Sequence, residues 1–255
     1  AGAVAVIMIN NVSGNPAPMG GTDTNGEVGI PSVAISKTDG DALVAALQSG
    51  AVNVTLNPAN TSIITGNFVP GVQHINDIVV RNNAGVSEIY VAAASTVAAG
   101  ASLGGFDYGL FKSVNGGTTW TEVSLPLTAA GHKTAPNDIE ITAGGKIWLS
   151  STNNSLYGDG GGKVFSSTDG NTFQLKYTVA SGDRTQIAVS KTNPDKVYVL
   201  SEIPDSVTII KTTDAFATTT VISQPTDADT GIPATDFTRG QAFYDLLIGT
   251  DPTND

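Results

Sequence analysis

The chain has 255 residues, enough for one large or two modest domains, with 29 glycines and only 14% charged residues. The formal net charge of −11 argues against nucleic acid as a partner, because its phosphates would be repelled, and the absence of cysteine excludes disulfides and thiolate chemistry. Abundant Gly with Thr, Ser, Val and Ala suits a mainly β protein with many turns, and no apolar run is long enough to span a membrane, so no membrane insertion is expected.

In chain order, Ala3–Ile9 is an apolar run of the kind buried on both faces of a sheet. A loop rich in Gly, Pro and Asn follows over residues 10–29, then a second apolar strand over Val28–Ile35. Ser36-Lys-Thr-Asp39 reads as a capping box with Asp in place of Glu. Ala42, Leu43, Ala46 and Leu47 form one helical face, Gly50 is a stop, and Val52–Leu56 is expected as a closing strand. Residues 58–73 carry Pro58, Gly66, Pro70 and Gly71 and read as a linker.

The remainder repeats. Gly109–Trp120 reads as strand, tight turn, strand. Ser113 and Asn115 bond nearby backbone, Gly116 and Gly117 accept positive φ, and Trp120 is expected to pin the hairpin to a core. Ser167, Asp169, Gly170 and Phe173 occupy the matching places in a second copy that is one residue shorter. Thr212 and Asp214 mark a third, which has lost its glycines. Ser113 and Ser167 lie 54 residues apart and Ser167 and Thr212 lie 45 apart, the spacing of propeller blades. The flanks repeat as well: Asn76-Asp77-Ile78, Asn137-Asp138-Ile139, Gln186-Ile187 and Tyr244-Asp245-Leu246 each open a unit, and Glu88-Ile-Tyr90, Lys146-Ile-Trp148 and Lys196-Val-Tyr198 follow after a polar turn. The units fall at about 74–125, 136–179 and 183–223, and 241–255 begins a fourth. Three and a fraction blades do not close a ring of about 4–8, and the chain opens inside an apolar run, so it is read as an internal piece of a longer protein.

Two resemblances follow from these residues. Ala1–Asn10, Met19-Gly-Gly21 and Gly29-Ile-Pro-Ser-Val-Ala-Ile-Ser36 with the following helix resemble the C-terminal part of a protease-associated (PA) domain, here residues 1–57. Such domains are non-catalytic appendages, common in secreted peptidases. The three turns resemble the Asp-boxes (BNR repeats) of sialidase-type and sortilin-like β-propellers, although the first carries Asn115 in the Asp position. The fold class implied is a partial, multi-bladed Asp-box β-propeller (74–255) preceded by a truncated α/β PA segment. The pairing resembles large exported bacterial proteins, which implies an extracellular or cell-surface location.

Turn chemistry alone accounts for Asn115, Asp169 and Asp214. A sialidase site needs arginines converging on a carboxylate. Arg81, Arg184 and Arg239 are the only arginines, and Arg81 and Arg184 fall at opposite ends of their blades. His74 and His132 stand alone in sequence, with no zinc motif, so neither catalytic nor metal residues are assigned. No cofactor is expected; Asp227-Ala-Asp229 is where oxygen ligands of the kind Ca²⁺ takes are concentrated. The long loops at Ala94–Tyr108, Thr152–Gly162 and Gln224–Gly240 share one face of the blades, which makes Asp107, Tyr108, Tyr157, Asp159 and Arg239 the candidate ligand contacts. The expectation is a non-catalytic binding region for a protein or glycan ligand, working with the rest of its parent polypeptide and accessory to a peptidase domain. The alternatives are a sialidase-like propeller glycosidase, in which the recurring Asp77, Asp138 and Asp245 would act, and an architectural spacer.

Overall fold

The computed structural model describes residues 5–13, 32–54, 67–69, 71–98, 101–225 and 236–253. The chain divides into two compact units, Ala1–Asn67 and Phe68–Asp255.

In the first unit, β1 (Val6–Ile9) pairs in parallel with β2 (Ser32–Ile35), and α1 (Lys37–Ser49) follows. The Ser36 hydroxyl accepts from the Asp39 backbone N–H at 3.0 Å and donates to the Asp39 carboxylate at 2.7 Å, a cap that needs only local sequence. Gly40 packs on Ile9, where a Cβ would collide with the isoleucine side chain. Three expectations change here. The strand β1 is not buried on both faces: Met8 is 50% exposed, because a two-stranded sheet with one helix has nothing among the described residues to cover its second face. Of the expected helical face only Leu43 is half-buried, for the same reason. Residues 51–54 form no strand, having no ladder partner among the described residues, and 55–56 lie outside them. Met19-Gly-Gly21, residues 29–31, most of the expected linker and Asp227–Asp229 also lie outside them.

The second unit runs β3 (Asn67–Val69), β4 (His74–Asn83), β5 (Val86–Ala94), β6 (Thr96–Ala98), β7 (Ala101–Leu103), β8 (Gly109–Ser113) and β9 (Thr121–Val123). It continues with β10 (Ala135–Ile141), β11 (Ile147–Thr152), β12 (Lys163–Ser167), β13 (Gln174–Thr178), β14 (Thr185–Val189), β15 (Val197–Ile203), β16 (Ser206–Thr212) and β17 (Thr220–Ile222). Three four-stranded antiparallel sheets form in chain order, β4-β5-β8-β9, β10-β11-β12-β13 and β14-β15-β16-β17, and β3, β7 and β6 make a small separate sheet. The four-stranded sheets stack face to face. Tyr90, Leu110 and Val123 of the first meet Ile139, Leu149, Phe165 and Phe173 of the second. Trp148 and Val164 of the second meet Ile187, Val197 and Ile210 of the third. Meandering sheets packed in series with their first strands adjacent are propeller blades, and this unit is a partial β-propeller. Residues 245–250 form no strand, since no second strand of that blade lies among the described residues, yet Ala242 and Leu246 cover Leu200 and Val207 on the outer face of blade three.

The hairpin turns are built alike. The Ser113 hydroxyl accepts from Gly117 N–H at 2.9 Å, and Asn115 Oδ1 accepts from Thr119 N–H at 2.9 Å. Ser167 accepts from Gly170 N–H at 2.9 Å, while Asp169 Oδ1 accepts from Asn171 and Thr172 N–H, both at 2.8 Å. Thr212 accepts from Phe216 N–H at 2.9 Å, and Asp214 Oδ1 from Thr218 N–H at 2.9 Å. The third turn keeps this pattern without glycine by holding Ala215 and Phe216 at φ 54° and 71°, against a steric cost of roughly 1–2 kcal/mol per residue. Phe216 repays this by packing against Trp148, with ring centroids 5.6 Å apart, and stacking on Tyr177 at 5.0 Å.

The turns of blades two and three pack on the preceding blade. Phe173 is 5% exposed within the junction of blades one and two. Trp120, expected as a core pin, is instead 44% exposed, since its turn has no preceding blade to meet among the described residues.

Candidate functional site

The first strands of blades one and two each carry a β-bulge at the same place, between Ile75 and Asp77 and between Pro136 and Ile139. A bulge re-aims the side chain beside it. Asp77 Oδ2 consequently accepts from the backbone N–H of Ile139 at 2.8 Å, and Asp138 Oδ2 from that of Ile187 at 2.7 Å. Each inner-strand carboxylate ties its blade to the next. Gln186 holds the equivalent place in blade three, where the ladder is regular. Its amide, oriented by its hydrogen bonds, donates to Asp138 Oδ2 at 2.7 Å and accepts from Arg184 Nη2 at 3.2 Å. Burial pushes Asp138 up to about 7, against the bond from Ile187, and the nearby Asp77 and Glu140 carboxylates add to the rise. Burial also raises Glu140, with Asp77 contributing.

At the end of the blades that bears the long loops, a polar cleft of about 510 Å³ is lined by residues including His74, Asn76, Asn153, Arg184, Glu202 and Tyr244. The ladder explains how two of these meet: Thr185 pairs with Ser201, so Arg184 and Glu202 lie side by side just beyond. Arg184 Nε is buried and has no hydrogen-bond partner among the described residues. Burial lowers the Arg184 pKa, opposed by the charges of Asp138 and Glu202. Burial raises that of Glu202, with Asp183 adding. Phe243 and Tyr244, 61% and 54% exposed, meet edge to face at 4.5 Å on the same rim. The site thus holds donors, acceptors and aromatic surface together.

The loop residues expected as contacts have other duties. Tyr108 is 1% exposed, and its hydroxyl donates to the Lys133 carbonyl at 3.1 Å, which removes it as a ligand contact: it fills the junction beneath the loops. Asp107 accepts from Gly71 N–H at 2.6 Å. Asp159 accepts from Thr128 at 2.7 Å and Asn154 at 2.9 Å and pairs with His132 at 3.0 Å. Burial opposes ionisation of Asp159, but these bonds outweigh it and lower its pKa. Tyr157 stacks on His132 at 3.6 Å, so that histidine is not solitary. Arg239 sits in a turn at φ 58°. Asp107, Tyr108, Tyr157 and Asp159 pin loops, and Asn153, Asn154 and Gly158 of the pinned 153–162 loop line the cleft. Sequence reasoning from motifs does not bring Arg184 and Glu202 together as a pair. Their signal was position: one immediately before a first strand, the other near the end of the second.

Arg81 and Arg184 stay apart. Arg81 bonds Glu88 at 2.7 Å and the carbonyls of Gly145, Thr168 and Asp169 at the turn-bearing end, whereas Arg184 lines the cleft. Among the described residues no group of three or more His, Cys, Asp or Glu is placed to hold a metal ion.

The PA-domain family matches residues 1–43. No curated protein matches the chain. Among solved structures, the crystal structure of the GH74 xyloglucanase from Xanthomonas campestris is similar at 17% identity and a TM-score of 0.41, covering 60% of this chain. The chain spans 22% of that protein's own chain.

Proposed function

We propose that this chain is a non-catalytic binding region of an exported or cell-surface protein, in which the loop-face cleft holds a glycan or polypeptide for a peptidase domain elsewhere in the parent polypeptide. The PA match supports a protease-associated role. In this reading the three turns are Asp-boxes, residues 1–57 are the end of the PA domain, 58–73 link it to the propeller, and no cofactor takes part.

The observation that carries the proposal is the engagement of Asp77 and Asp138. A glycosidase needs two carboxyl groups directed at one bond from different environments. These two repeat the same bond to the next blade's backbone, a structural duty. The cleft beside them supplies what binding needs, a rigid scaffold with donors, acceptors and an aromatic rim.

The test is binding of the chain to immobilised sialosides, plant and algal glycans, and denatured proteins, with turnover measured in parallel. Arg184→Ala and Tyr244→Ala should each weaken binding by roughly tenfold, about 1.4 kcal/mol. Hydrolysis abolished by the Asp77→Asn/Asp138→Asn double variant, with its fold intact, would replace this reading with the glycosidase. Absence of binding to every probe would leave the architectural spacer.

A further inference from the structure

A chain of hydrogen bonds leads from the inner strands to the loop-face cleft, and it lies within the junction of blades two and three. Asp138, re-aimed by the bulge between Pro136 and Ile139, reaches across that junction. Its Oδ2 accepts from the Ile187 backbone N–H and from the Gln186 amide, both at 2.7 Å. The other end of the same amide accepts from Arg184 Nη2 at 3.2 Å. Arg184 lines the cleft. A primary amide carries donors at one end and an acceptor at the other. Between a carboxylate and a guanidinium, Gln186 therefore has one orientation that bonds both.

The inner end of this chain is set to titrate. Asp77 faces Asp138 from β4 of blade one, and Glu140 from its own strand. Blade three brings Arg184 and the neutral Gln186, and β11 brings the Ser150 hydroxyl, which accepts from the Asp138 backbone N–H at 3.2 Å. Lys191 acts on Glu140. Burial, joined by the charges of Asp77 and Glu140, holds Asp138 at about 7 against the bonds from Ile187 and Ile139. The outer end is lightly held. Among the described residues Arg184 makes no ion pair and its Nε bonds nothing, so the Gln186 carbonyl is what tethers its fork. The charges of Asp138 and Glu202 act on it from a distance.

We propose that Asp138 is a proton-operated latch on the cleft, with Gln186 as the positioning residue between it and Arg184. Ionised, Asp138 holds the amide by a charge-assisted bond and draws the guanidinium back against the inner strand. Protonated, it offers the amide a neutral bond of roughly half the strength and no longer attracts the cation, so the guanidinium is released toward the cleft. The latch is a property of the unliganded chain; its effect on a ligand rests on the binding role proposed for the cleft.

Nuclear magnetic resonance of the full chain, titrated from acid to mildly alkaline pH without ligand, tests this by following the Asp138 carboxyl carbon and the Arg184 Nε nitrogen together. Both signals should move with one midpoint near neutrality. Asp138→Asn should leave the Arg184 signal flat across that range. Gln186→Met removes the relay but no charge. It should raise the Asp138 midpoint by about half a pH unit or more, as losing a bond to the charged form does, and should at least halve the Arg184 response. An Arg184 signal that stays still while Asp138 titrates, a full response retained in Gln186→Met, or an Asp138 that does not titrate near neutrality would each overturn the latch. Absence of binding to every glycan and protein probe would leave these titrations unchanged, so failure of the latch and failure of the binding role are read separately.

Discussion

The turns of blades one and two share their hydrogen bonds and differ in their surroundings. Ser113 and Ser167 cap in the same way, and Asn115 and Asp169 accept from the same side of the loop. Yet Phe173 is buried against Tyr90 and Leu110, whereas Trp120 rests half in solvent. The turn itself is a local device that forms wherever its residues occur. Its aromatic contributes packing energy only where a preceding blade stands to receive it.

The largest expected effect breaks that contrast directly. Phe173→Ala should cost about 3–5 kcal/mol, the usual loss on emptying a buried aromatic site, while Trp120→Ala in the same chain should cost less than about 1 kcal/mol, as an exposed position does. Denaturant midpoints at constant slope measure both, and equal losses would dissolve the distinction between the two turns.

Arg81→Met should follow at about 3 kcal/mol, because it strips a buried pair of one partner and leaves carbonyls of the blade-two turn without their donor. Unfolding that loses cooperativity between blades one and two would sharpen the view that this side chain joins them.

The two junctions should also respond oppositely to pH. At the inner strands, Asp138 is raised from 3.8 to about 7, so the folded state holds a proton that the unfolded chain has released. Its contribution is present below about pH 4 and is lost as pH rises through about 7, on the order of 2 kcal/mol or more. At the turn-bearing end, burial disfavours Glu88 ionisation, but bonds from Lys112, Asn83, Tyr90 and Arg81 outweigh it and hold the group at about 2. That contribution is present above its ordinary 4.5 and is lost as pH falls through about 2. Stability measured from acid to neutral pH should show the first slope in the parent and lose it in Asp138→Asn.

The smallest effect is Asn115→Asp. Asp214 already accepts Thr218 Oγ1 on its second oxygen at 2.7 Å, so an aspartate at 115 can take Thr119 in the same way. A change within about 0.5 kcal/mol, ordinary for a surface position, is expected from the same denaturation measurement. A larger loss would mean that the Asn115 amide donation to Thr119 matters to this turn alone.

Sequence by itself determined the repeat, the turns and the inner-strand aspartates, because each depends on residues within a few positions of one another: a hydroxyl and an amide or carboxylate two apart, or a short polar turn between two β-branched runs. The cap on α1 was legible for the same reason. Only the tertiary structure decided which aromatic is buried, that Tyr108 fills a junction instead of meeting a ligand, and that Arg184 and Glu202 share a cleft with Asn153 and Tyr244. Those outcomes depend on which blade stands beside which. Asp77 shows both levels at once: its recurrence is visible along the chain, but its partner, the Ile139 backbone N–H, lies 62 residues away and is reached only because a bulge turns the carboxylate toward the next blade.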